Sequence, residues 1–211
     1  PREWFALLDV LEKEKGIAIL LGATDTGKST LAKFLIFNLC KRGLKVALVD
    51  ADIGQSFIGP PTTIGFSVFK SDPDWEVVLS PPKIFFVGST TPEGYFTIHL
   101  KGVKRMVEKA PSYGAEVIIV DTTGFILGDA GKELKRRKID LLSPRFILAL
   151  QKSDEIEPIL NLEIVKFLVE IFCGPLMRRF SNIPMPLSVM HIFLPVSVQS
   201  LPSPLKCLNS L

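Results

Sequence analysis

The stretch Gly22-Ala23-Thr24-Asp25-Thr26-Gly27-Lys28-Ser29-Thr30 constrains this chain more than any other. It satisfies the pattern G-x-x-x-x-G-K-[ST]. That pattern is meaningful only between a strand and a helix. Both are predicted here: "IAILLG" (17–22) is a short apolar run of strand type, and "KSTLAKFLIFNLCKRG" (28–43) has helical period with Gly43 as its stop. In such a loop the backbone N–H groups turn inward and join the positive end of the helix dipole, which makes an anion cradle. Lys28 is placed to reach the β- and γ-phosphates of a nucleotide, and the Ser29 hydroxyl to meet Mg²⁺. A chance glycine-rich turn is the alternative, and the matched flanks argue against it.

The rest of the chain repeats the same alternation. "KVALVD" (45–50), "KIFFVGS" (83–89), "EVIIVD" (116–121) and "RFILAL" (145–150) read as further buried strands. Helical patterns fall at about 94–110, stopped by Pro111, and at 131–142. Continuous apolar strands alternating with helices predict an α/β fold of the P-loop NTPase type, a mostly parallel sheet with helices on both faces. Ligands of such sheets sit at the carboxyl ends of the strands. With 211 residues, 47% of them apolar, the chain can bury a substantial core. Residues 1–160 are expected to form the P-loop domain. Residues 161–211 are an atypical Pro-rich apolar segment, expected to be a degenerate or truncated lid region; its prolines at 184, 186, 195, 202 and 204 fit neither a regular helix nor a linker. The chain opens on Pro1, so a fragment or trimmed chain is expected.

Two strands end in acid. "VDADIGQS" places Asp50 and Asp52 on one side of an extended segment, with Ala51 opposite. One carboxylate is suited to take a proton from an attacking hydroxyl, the other to hold a metal-bound water, and Gln55 to orient a nucleophile or a phosphate oxygen. A solvated strand end with a capping aspartate is the competing reading. "VIIVDTTG" closes a hydrophobic run with Asp121, the usual form of an aspartate that holds Mg²⁺ in such sites. A turn-forming aspartate before Thr-Thr-Gly is the alternative.

"GATDTGKSTLAKFLI", "VDADIGQSFIGPPTTIG", "FFVGSTTP" and "VDTTGFI", in this order and spacing, resemble the polynucleotide 5′-hydroxyl-kinase family. That family includes the RNA kinase subunit of the eukaryotic mRNA 3′-end cleavage machinery, nucleolar relatives in ribosomal RNA processing, and archaeal homologues. The resemblance covers about residues 1–160. It implies transfer of the γ-phosphate of ATP, with Mg²⁺, to the 5′-hydroxyl of RNA, or of DNA, inside an RNA-processing complex. It implies Lys28 and Ser29 as the loop lysine and magnesium hydroxyl; Asp50 and Asp121, read above from the acidic strand ends, are expected beside that metal. Asp25 and Thr26 lie in the family's variant of the loop. Asp52 matches the residue that activates the 5′-hydroxyl, and Gln55 belongs to the same motif. Thr90 or Thr91 falls where the terminal nucleotide is gripped. Thr122 and Phe125 stand in a motif whose aromatic, tryptophan in relatives, stacks on a base; an ordinary core phenylalanine is the alternative.

Departures from the family accompany the resemblance. Relatives carry lid arginines after the fifth strand; here the only late pair is Arg178 and Arg179, in an apolar setting. The basic helix with Lys132, Lys135, Arg136, Arg137 and Lys138 is read as a solvated face or an RNA-backbone contact. Without a proper lid, an ATP-binding scaffold without efficient turnover is an alternative. "QKSD" (151–154) resembles the N-K-x-D of guanine-specific GTPases with Gln151 in place of asparagine, so a GTPase-like switch is another. Cys40, Cys173 and Cys207 lack disulfide or zinc spacing, which suits a reduced compartment: cytoplasm for an archaeal-type protein, nucleus for a eukaryotic one. His99 and His191 are read as structural or surface residues. No signal peptide and no membrane span are expected.

Overall fold

The computed structural model describes residues 2–70, 83–126, 128–151, 155–160, 168–172 and 190–192. The elements in chain order are α1 (Arg2–Glu14), β1 (Gly16–Gly22), α2 (Lys28–Lys41), β2 (Val46–Ala51), β3 (Thr63–Phe69), β4 (Lys83–Phe86), α3 (Phe96–Lys109), β5 (Val117–Thr122), α4 (Gly128–Leu142), β6 (Phe146–Gln151), α5 (Glu157–Leu160), β7 (Leu168–Phe172) and β8 (Met190–Ile192). A 3-10 turn, Ala110–Tyr113, follows α3 where Pro111 interrupts the α-helical pattern.

One eight-stranded sheet runs β4-β3-β2-β5-β1-β6-β7-β8. Every pairing is parallel except β2 with β3 and β3 with β4, so β3 alone runs against the rest. The mostly parallel α/β architecture is therefore present. The apolar-run reading missed β3, and it missed β7 and β8 in the 161–211 segment. The β3 sequence "TIGFSVF" breaks the apolar run with Gly65 and Ser67, yet all seven residues are buried. Gly65 is required there: a Cβ would overlap the carbonyl oxygen of Ile58, which crosses directly over the strand.

Strand alternation sorts the core into two layers. Ala18, Leu20, Leu48, Ile119 and Leu148 face one side, where they pack with Leu7, Leu8 and Leu11 of α1 and Leu31, Leu35 and Leu39 of α2. Ile19, Leu21, Val49, Val120 and Ile147 face the other, against Val103 and Met106 of α3 and Ile139 of α4. Residues adjacent along one strand thus serve opposite layers, which is the period-two geometry of a sheet covered on both faces. β1, β2, β5 and β6 are mutually parallel, so their carboxyl ends meet on one edge of the sheet. Register places Asp50 level with Asp121 on the neighbouring strand. β7 and β8 come from the 161–211 segment and extend the sheet beyond β6. Arg178, Arg179, Cys173 and Cys207 lie outside the described residues. Among the described residues no helix is long and apolar enough to cross a membrane.

Candidate functional site

The loop after β1 folds as its glycines require. Gly27 sits at φ 90 as the N-terminal cap of α2, and Asp25 also takes a left-handed φ of 59. Gly22 admits no side chain, because a Cβ would lie 2.6 Å from the Leu150 carbonyl oxygen. Within the loop Thr26 Oγ1 donates to the Ala23 carbonyl at 3.0 Å. Lys28 Nζ donates to the same carbonyl at 2.6 Å. Lys28 is only 6% exposed, and burial lowers its pKa against the opposing pull of Asp121, Asp52 and Asp25. Thr24, Asp25, Ser29 and Thr30 are exposed on the loop's open side.

Ser29 Oγ donates to Asp121 Oδ2 at 2.6 Å, which ties the start of α2 to the end of β5. The other oxygen, Asp121 Oδ1, is buried and has no hydrogen-bond partner among the described residues. Burial pushes the Asp121 pKa up to about 6; the Ser29 bond opposes this, while the neighbouring Asp50 carboxylate adds to it.

Asp50 is differently placed. Its Oδ1 accepts from the Asp52 N–H at 3.1 Å. Its Oδ2 accepts from Ser56 Oγ at 3.0 Å, from the Ile58 N–H at 2.8 Å and from the Phe57 N–H. Burial still raises its pKa, with these donors acting against it. Asp50, expected beside a metal, thus anchors the 52–58 loop with both of its oxygens. Asp52 lies half-buried on that loop and closes a small turn, its Oδ1 accepting from the N–H groups of Gly54 and Gln55 at 3.2 Å each. The Gln55 residue is exposed.

The 88–94 loop lies alongside. A Cβ on Gly54 would stand 2.9 Å from the Thr90 carbonyl oxygen, so these two loops touch backbone to backbone. Thr90 and Thr91 are both exposed. On the far side of Asp121 the turn 122–125 presses against the phosphate-binding loop. A Cβ on Gly124 would come within 2.5 Å of the Thr24 backbone nitrogen. Phe125 is half-buried, its ring edge-on to Phe96 at 6.5 Å between centroids. It is therefore not a fully buried core residue. Lys28, Ser29, Asp52, Asp121, Thr122 and Phe125 are thus gathered on one edge of the sheet by β1, β2 and β5 and the loops that follow them.

The basic helix corrects the expectation of a solvated face. Arg136 and Arg137 are exposed and pair with Glu133. Lys135 and Lys138, by contrast, are completely buried. They fall at i and i+3 inside the stripe Gly131, Leu134, Ile139, Leu142 that packs on the sheet. That position was the available signal, and the run of five cations obscured it. Lys135 Nζ donates to Thr122 Oγ1 at 2.8 Å, the Thr123 carbonyl at 2.5 Å and Thr123 Oγ1 at 3.4 Å. Lys138 Nζ has no hydrogen-bond partner among the described residues. Burial lowers its pKa to about 7, opposed by Asp52 and then Asp121. Burial also lowers that of Lys135 well below the ordinary value, and Lys138 and Lys28 add to the effect. His99 is equally buried, its Nε2 3.2 Å from the Ala51 carbonyl.

Gln151 is not arranged to read a base. Its side chain is fully buried, donates to Glu157 Oε1 at 2.8 Å and accepts from the Ile156 N–H at 3.3 Å. The remainder of the "QKSD" stretch, 152–154, lies outside the described residues.

Comparison with known proteins bears on the same segments. The family model described as "mRNA cleavage and polyadenylation factor CLP1 P-loop" matches residues 22–173. A polyribonucleotide 5′-hydroxyl-kinase of Methanocaldococcus jannaschii is 42% identical over 163 residues, 76% of this chain and 45% of that protein. One of Pyrococcus furiosus is 42% identical over 143 residues, 68% of this chain and 40% of that protein. The chain thus spans less than half the length of these relatives. Among solved structures, wild-type Clp1p in complex with Pcf11p superposes with a TM-score of 0.61 at 17% identity, over 77% of this chain and 46% of that one. That likeness is one of fold.

Proposed function

The chain belongs to the CLP1 P-loop family, and on that premise we propose that it is an ATP-dependent polynucleotide 5′-hydroxyl kinase acting on RNA ends. The observation that carries the reading is the placement of Asp52 beside, but outside, the nucleotide loop. The turn that Asp52 closes lies against the exposed 88–94 loop, and strand register sets Ala51, the residue before it, level with Thr122 at the start of the 122–125 turn, which suits an organic acceptor better than a buried water.

Nucleotide binding follows from the family. ATP as the nucleotide is supported by the loop 22–30, whose N–H groups and Lys28 suit the phosphates. Magnesium fits the residues present. Asp121 Oδ1 is a buried oxygen with no partner among the described residues, and Ser29 Oγ stands on the companion oxygen. Ser29 and Asp121 would hold the ion. Asp50 is left out of that set because the loop occupies both of its oxygens. When bound, the ion supplies positive charge to the β- and γ-phosphate oxygens.

The chain's own residues do the rest. Asp52 accepts the proton of the incoming 5′-hydroxyl as its oxygen bonds to the γ-phosphorus. The bond from that phosphorus to the bridging β–γ oxygen breaks, and the electron pair leaves on ADP. Lys28 meets the charge that develops there. Phe125 offers a face for the terminal base, and Thr90 or Thr91 a hydroxyl for its phosphate or sugar. Gln55 orients the acceptor. An RNA-processing assembly, in the cytoplasm or nucleus, is the setting proposed on the same ground.

The test is transfer of label from γ-labelled ATP to 5′-hydroxyl oligoribonucleotides and their deoxy counterparts. Labelled 5′ ends are expected with the intact chain and not with Lys28→Ala. No label with the intact chain, or equal label with both, overturns the reading.

A further inference from the structure

Lys135 is a polar side chain with no access to water, on the face of α4 that packs on the sheet. Burying such a group costs several kcal/mol unless its hydrogen bonds are made. Methionine would fill the same volume without that cost. The hydrogen bonds it makes are all to one segment, Thr122 and Thr123. Thr122 Oγ1 in turn donates to the Leu20 carbonyl at 2.7 Å, on β1 just before the phosphate-binding loop. The next residue after the pair, Gly124, rests on the backbone of Thr24 with no room for a Cβ. The nitrogen therefore sits at a junction. Through Thr122 it reaches the strand that enters the nucleotide loop, and through Thr123 it holds the turn that carries Phe125.

We propose that Lys135 is a positioning residue that locks the 122–125 turn to the nucleotide loop, so that the acceptor and the phosphoryl donor are held in one frame. This rests on the kinase reading for its effect on rate, but the lock itself does not. Lys135 touches neither reacting group. It acts through Thr122 and Thr123. Displacement of a positioned acceptor by about 1 Å costs on the order of 10²-fold in rate, so loss of the lock is expected to lower turnover and leave nucleotide binding in place.

Five proteins test this: the unaltered chain, Lys135→Met, Thr122→Val, the double variant, and Thr122→Ser as the conservative control. Melting temperature, ATP affinity, kcat for the oligonucleotide and amide hydrogen exchange are measured on each. Lys135→Met is expected to keep its melting temperature and ATP affinity and to lose 10- to 100-fold in kcat. Thr122→Val should lose a similar factor, the double variant no more than either, and Thr122→Ser little. Exchange should quicken at 122–126 and 22–27 while α4 stays protected. Multiplicative losses in the double variant, unchanged exchange at both loops, or exchange rising throughout α4 would each overturn the lock. If Lys135→Met does not fold, Thr122→Val carries the same readouts, because it removes the hydroxyl and leaves the lysine. Failure of the unaltered chain to label RNA overturns the kinase reading alone, since the exchange measurement needs no activity.

Discussion

At the scale of single residues, local and non-local information separate cleanly. Gly22, Gly27, Lys28 and Ser29 were legible because the loop's function depends on contiguous backbone, which a short motif specifies. Asp121 was legible because a hydrophobic run closing in aspartate is the form that a metal-holding residue takes beside a phosphate loop. Lys135 and Lys138 were not, because a charge on a helix is normally solvated and only the packing of α4 on the sheet reveals otherwise. Lys138 has a measurable consequence. Its buried Nζ lacks a hydrogen-bond partner among the described residues, so Lys138→Met removes an unsatisfied group and is expected to stabilise the fold by about 1–3 kcal/mol at pH 7. The pH dependence has a definite sign. Its folded pKa, about 7, lies below the unfolded value of 10.5, so the unfolded chain binds the proton more tightly between those limits. Its contribution to stability therefore rises with pH from about 7 toward 10.5 and is lost as pH falls back through 7. Urea unfolding at pH 7 and pH 9 checks this: the advantage of the methionine variant should shrink at the higher pH.

At the scale of elements, the strands with uninterrupted apolar runs were found, whereas β3 and the two strands of the 161–211 segment, β7 and β8, were not. β3 is built from alternate residues, Ile64, Phe66 and Val68 for one core layer, with Gly65 and Ser67 between them. The apolar-run criterion that identifies parallel strands passes over that pattern. The loop from β2 to β3 explains Asp50. An aspartate that receives three backbone N–H groups and a hydroxyl acts as the anchor of that connection, and sequence alone cannot distinguish it from a ligand. Asp50→Asn turns one oxygen into a donor facing donors. It is expected to destabilise the protein by about 1–3 kcal/mol, and by the same amount in EDTA as in Mg²⁺. A loss seen only with the metal present would return Asp50 to the metal site. Thermal melts in both buffers decide.

At the scale of the whole molecule, the two core layers and the edge where strand ends converge followed from the alternation of strands and helices, since both express the same burial on two faces. The contacts between the 52–55 and 88–94 loops, and between 122–125 and the nucleotide loop, did not, because each joins distant segments by backbone approach at glycine. Nucleotide binding should be visible in the global melt. At 100 times its dissociation constant a ligand adds about 2.7 kcal/mol, which for a domain of this size raises the melting temperature by roughly 5–10 °C; Lys28→Ala should abolish the rise. The hydrogen bond from Lys28 Nζ to the Ala23 carbonyl bears on how large the heat of that binding will be. The ammonium already has an acceptor inside its own loop, so a phosphate that engages it takes the place of a carbonyl rather than of bulk water. Calorimetry would then record an exchange of partners, with an enthalpy smaller than a tally of new contacts suggests.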